Sequence, residues 1–121
     1  MDELKTGMGL RIAVAEALSG KSIHRHDDGR YIGYTPVDNT PGCSVYDYGE
    51  LPAFDTNDVT VRHLPEGYGY TSEYETVFGY FTVDMKHPAS GLDVNITAFP
   101  FATAFWNAFL KLHTLVQKDA S

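Results

Sequence analysis

The chain has 121 residues, 43% of them hydrophobic, and a net charge of −7 from 9 Lys+Arg against 16 Asp+Glu. That length fits one domain spanning 1–121, able to bury roughly two-thirds of the surface its unfolded form exposes without help from disulfides or metal. No apolar run approaches ~18 residues, which excludes a membrane-spanning helix, and the negative balance disfavours direct binding to nucleic-acid backbones.

A single cysteine, Cys43, cannot form an internal disulfide, so a reducing, cytoplasmic setting is expected, that of the host cell if the gene is viral. Met1-Asp2-Glu3-Leu4-Lys5 has neither the basic nor the apolar region of a secretory signal, and none is expected.

Residues 1–20 predict a helix. Leu4, Met8, Ile12 and Ala15 follow one buried face, widened by Val14 and Leu18. Asp2 suits the N-cap and Gly20 the C-terminal stop. Gly7 and Gly9 each cost about 1 kcal/mol relative to Ala, so the helix is expected from about Met8 onward.

Beyond Lys21 the periodicity changes. Asp27-Asp28-Gly29-Arg30 between Ile23 and Tyr31 predicts a hairpin turn, because Asp-Gly tolerates positive φ. Tyr34–Gly42, with Pro36, Asp38, Asn39 and Pro41, reads as loop. Cys43–Tyr48 and Val59–His63 read as short strands, and Glu73–Met85 as one long central strand with bulk on both faces. Leu92–Thr97 alternates like a half-buried strand after a Pro88–Gly91 turn.

Pro100 to about Gln117 predicts a second helix, with Pro100 in its first turn. Phe101, Phe105, Ala108, Leu112 and Leu115 form one stripe, and Ala102, Trp106, Phe109, Leu110 and Val116 extend it well round the helix. A helix this apolar is covered on more than one side. Phe101, Phe105, Trp106 and Phe109 are therefore candidates for an oligomer interface, with the chain's own core as the plainer reading. Helix, antiparallel-rich sheet of about four to six strands, helix is an α+β order.

The charge is not evenly spread. Tyr31 to Met85 holds one basic residue, Arg62, against nine acids, a net −8, and all eight tyrosines; the remainder of the chain is +1. Tyr offers a stiff contact surface with a polar tip, and carboxylates speed and orient the approach of a basic partner. The candidate partner-binding residues are Tyr46, Asp47, Tyr48, Glu50, Asp55, Asp58, Tyr68, Tyr70, Glu73, Tyr74 and Glu75. The plainer reading is that tyrosines favour strands and acids solvate their edges.

Catalytic motifs are weak by comparison. His24, His26 and Asp28 would share one strand face and could hold a metal, though a turn-flanking polar strand end explains them as well. His63 or His87 could complete such a set only through the fold. Cys43 carries no nucleophile signature and reads as a small buried hydrophobe. Gly7-Met8-Gly9 lacks the third glycine and the preceding strand of a dinucleotide site. The carboxylate pairs Glu73 with Glu75 and Asp55 with Asp58 say little about glycoside chemistry without a cleft. Asn95-Ile96-Thr97 matches a glycosylation sequon but falls in a predicted strand.

The leading expectation is thus a non-enzymatic binding module of inhibitor, immunity or nucleic-acid-mimic type, without a cofactor. Its partner would be a basic protein surface, such as that of a nucleic-acid-binding protein. The alternatives are a ring-forming structural oligomer of a virus particle or its tail-completion apparatus, and a small metal-dependent hydrolase using His24, His26 and Asp28.

Overall fold

The computed structural model describes residues 4–37 and 45–120. The expected N-cap Asp2, the loop positions 38–42 and Cys43 lie outside the described residues. Helix α1 runs Gly7–Ser19 and ends at Gly20, whose φ of 70° is the left-handed stop that glycine adopts without strain. Its buried residues Leu10, Val14, Ala15 and Leu18 are the predicted stripe displaced toward the C-terminal end; Leu4 and Met8 remain exposed.

Among the described residues, six strands follow in two antiparallel three-stranded sheets. The first contains β1 (His24–Arg25), β2 (Tyr31–Pro36) and β3 (Tyr46–Glu50), with β2 in the middle. The predicted Asp27–Arg30 turn joins β1 to β2: His26 N–H donates to the Arg30 carbonyl at 2.8 Å, and Gly29 takes φ 89°. Tyr34–Pro36, expected as loop, is instead the end of β2. Pro36 is tolerated in this middle strand because β1 pairs only with Tyr31 and Ile32, leaving the ladder beside Pro36 open on that side.

Asp58–His63, expected to contain a strand at Val59–His63, is a 3-10 helix. The Asn57 side chain accepts from Val59 N–H at 3.0 Å, a local cap that competes with strand formation despite the β-branched Val59 and Val61.

The second sheet has the order β4 (Gly69–Glu75), β5 (Tyr80–His87), β6 (Leu92–Ala98). The long strand expected over Glu73–Met85 is therefore two strands. The chain reverses at Thr76–Gly79, where Gly79 has φ 74° and its N–H donates to the Glu75 carbonyl at 2.8 Å. Helix α2 (Phe101–Ala120) lies across β5 and β6, burying Val83, Met85, Val94, Ile96 and Ala98 beneath it.

Trp106, Phe105 and Phe109 are fully buried inside this single chain. Trp106 meets Phe54, Phe105 and Phe109 edge-on, and its indole N–H donates to Thr60 Oγ1 at 2.9 Å. These three residues have no surface left for a second copy, which corrects the oligomer-interface expectation; Phe101, the fourth, is half-buried against Phe81 and Phe105. The loop before the 3-10 helix and helix α1 cover the side of α2 that faces away from the sheet. Among the described residues, no helix is long and apolar enough to cross a membrane.

Candidate binding surface

The structure divides the acidic, Tyr-rich span into three unlike environments. In the first sheet, β3 carries Tyr46, Asp47, Tyr48 and Glu50. Tyr48 packs edge-on against Tyr34 at 5.4 Å, and its hydroxyl lies 3.2 Å from His26 Nε2, while Lys21 Nζ sits over the Tyr34 ring at 5.1 Å. Glu50 lies close enough to Arg30 to favour its charged form. Here Glu50 stands beside Arg30, while Asp27 and Asp28 leave the Lys21–Arg30 segment at a net charge of only +1, so the β3 carboxylates are offset only in small part.

The middle segment is largely structural. Asp55, expected on the surface, is buried and bonded to Arg11 Nε at 2.5 Å, and its carbonyl accepts from Thr103 Oγ1 at 2.8 Å. It pins α1 and the loop to α2 and is removed from the candidate surface for that reason. Asp58 is exposed in the first turn of the 3-10 helix, where a carboxylate complements the free N–H groups. Tyr68 packs edge-on against Phe109, with its hydroxyl 3.0 Å from His113 Nδ1 and its ring 4.9 Å from His87. Burial raises the Tyr68 pKa above its ordinary 10.0. Burial first, and the neighbouring His87 second, lower that of His113 below 6.5.

The third environment is β4, and it is different in kind. All seven of its residues are exposed. Alternation along the strand puts Thr71, Glu73 and Glu75 on one face and Tyr70, Ser72 and Tyr74 on the other. The first face continues through the register partners Asp84, Thr82 and Tyr80 onto the uncovered side of the sheet. Lys86 is the one cation of β4–β6 on that side, against Glu73, Glu75, Asp84 and Asp93. A shallow depression of about 270 Å³ lies there, lined by Thr71, Ser72, Glu73, Thr82, Asp84 and Asn95.

The second face is an aromatic ladder leading out of the core. Tyr70 meets Phe105 edge-on at 4.8 Å, and Tyr74 stacks on Phe81 at 4.7 Å. Phe81 in turn faces Phe99 at 6.2 Å. The turn after β4 adds Val77 and Phe78, which are 79% and 73% exposed, and Phe99 is 63% exposed. Apolar side chains this open, gathered at one end of a sheet and rimmed by carboxylates, are the kind of patch that marks an interaction site. Residue type hid Val77, Phe78 and Tyr80 from sequence reasoning, since each reads as part of the Glu73–Met85 strand, and Phe99 falls between the expected strand and helix; Gly79 was the available signal that a turn would expose the first two.

Three of the other chemistry-bearing groups, His26, Asp28 and His87, are engaged locally. His26 meets Tyr48, and Asp28 accepts from the Arg30 backbone N–H at 3.0 Å and from Arg30 Nε at 2.7 Å, which together lower the Asp28 pKa below its ordinary range. Among the described residues, no three His, Cys, Asp or Glu side chains are grouped to hold a metal ion. His87 Nδ1 lies 2.8 Å from Ser90 Oγ, but that hydroxyl also reaches the His87 carbonyl and accepts from Leu92 N–H, so it closes the β5–β6 turn. The chain matches no protein-family model, no curated protein and no solved structure.

Proposed function

We propose that this chain is a non-enzymatic binding module whose β4 strand and adjoining hairpin tip engage a basic site on a partner protein, of the kind that otherwise holds nucleic-acid phosphate. The observation that carries this reading is that every residue of β4 is exposed, with Glu73 and Glu75 on one face and Tyr70 and Tyr74 on the other. The carboxylates supply long-range attraction and register, and the aromatic face supplies area that loses water on contact. The β3 residues Tyr46, Asp47, Tyr48 and Glu50 contribute less in this account, because Tyr48 is engaged by Tyr34 and His26 and Glu50 lies beside Arg30.

The test is capture from an extract of the source organism by the wild type, by Glu73→Lys/Glu75→Lys, and by Asp47→Lys/Glu50→Lys as control. The wild type and the control retain the same basic protein, which elutes as salt is raised, and the β4 variant loses it. Retention of that protein by Glu73→Lys/Glu75→Lys contradicts the reading.

A structural oligomer remains the second reading, and the exposed Val77, Phe78 and Phe99 favour it, since apolar tips of this kind also serve assembly. Light scattering separates the two: a concentration-independent monomer removes the ring.

A further inference from the structure

Strand β4 pairs with β5 over seven consecutive positions, from Gly69 opposite Lys86 to Glu75 opposite Tyr80, without a bulge. Among the described residues no strand pairs with its other edge. An edge strand presents a row of backbone donors and acceptors that can template a further strand, and proteins commonly blunt such edges with Lys, Pro, a bulge or a covering element. Strand β4 has neither Lys nor Pro, its register is unbroken and all of it is exposed; its charges, Glu73 and Glu75, guard the edge against an acidic strand and leave it open to a basic one.

We infer that the free edge of β4 accepts an extended, basic segment of the partner as a fourth strand of the sheet, a proposal that rests on the reading of β4 as the partner-binding surface. The side chains specify the occupant. A strand laid along this edge meets Glu73 and Glu75 on one face and Tyr70 and Tyr74 on the other. Its complement alternates Lys or Arg with β-branched or apolar residues, because opposite charges and aromatic–aliphatic pairs are the favourable cross-strand neighbours. Tyr70 already contacts Phe105 and Tyr74 already stacks on Phe81, so the incoming apolar side chains would extend the core's aromatic layer. A second copy of β4 fits poorly. Antiparallel pairing about Ser72 makes the two Glu73 side chains diagonal neighbours and adds the carboxylates of both strands with no cation between them.

The probe is a short capped peptide alternating lysine and valine, titrated into the isotopically labelled chain and followed by backbone amide shifts. A peptide of the same charge interrupted by proline keeps the attraction but cannot form the ladder, and a glutamate–valine peptide reverses the charge. The lysine–valine peptide is expected to shift the amides of Gly69–Glu75 and to bind about tenfold tighter than the proline-interrupted one. Glu73→Lys/Glu75→Lys is expected to weaken it by about tenfold and to gain affinity for the glutamate–valine peptide. Equal binding of the two lysine peptides, both lost in the charge-reversed variant, overturns strand addition while leaving the acidic binding surface in place. Shifts confined to other segments, no binding, or self-association through β4 also overturn it.

Discussion

Tyr74 stacks on Phe81 with ring centroids 4.7 Å apart and planes 27° apart, yet about half of Tyr74 (52%) remains exposed. The contact anchors one face of an uncovered strand to the core without burying it. Tyr74→Ala therefore costs stability on the order of 1 kcal/mol, the typical value of an aromatic pair, while removing a central part of the binding face. Chemical denaturation together with partner affinity checks both halves. An affinity loss no greater than the stability loss would remove Tyr74 from the surface.

The hairpin tip makes a sharper separation. Val77 and Phe78 are almost wholly exposed, so Val77→Ser/Phe78→Ser changes stability by no more than about 0.5 kcal/mol. Partner capture weakens in the same variant. A large fall in melting temperature would mean that the tip packs inside the fold.

Helix α2 gives the opposite result. Trp106 is fully buried and donates to Thr60 Oγ1, which itself donates to the Asn57 carbonyl at 2.7 Å. Trp106→Ala costs about 3–5 kcal/mol through the cavity it leaves, and more because the indole hydrogen bond is lost. The predicted signature is a loss of folding by circular dichroism. A folded variant with only an altered oligomeric state would restore the interface role expected from the sequence.

Much of the frame was legible in the residues themselves. Gly20 marks the end of α1, Asp27–Arg30 a hairpin, and the alternation in Leu92–Thr97 a half-buried strand, because each signal is local. The failures are also physical. Val77 and Phe78 continue the β-branched and aromatic pattern straight through a turn, so one strand was expected where there are two. Asp55 looked like surface charge because its partner, Arg11, lies far away in sequence. The acidic span could be counted but not divided: only the fold shows that Glu50 of β3 lies beside Arg30 while every residue of β4 is exposed.

The burial of His113 predicts a pH dependence. The folded-state pKa of His113 lies below its ordinary 6.5, chiefly through burial and further through His87. The unfolded chain therefore binds more protons than the folded one as pH falls through and below 6.5, and stability drops in that window. Above it His113 is neutral in both states and contributes no slope. Melting temperatures from pH 8 down to 5 are expected to fall less steeply in His113→Gln. An unchanged slope would assign the acid sensitivity to other groups.

The most direct test of the central claim is amide hydrogen exchange of the chain alone and in complex with the captured partner. Docking at β4 predicts strong new protection across Gly69–Glu75, with little change across Tyr46–Glu50. Protection in Tyr46–Glu50 with Gly69–Glu75 unaffected would contradict it and move the binding site to the first sheet.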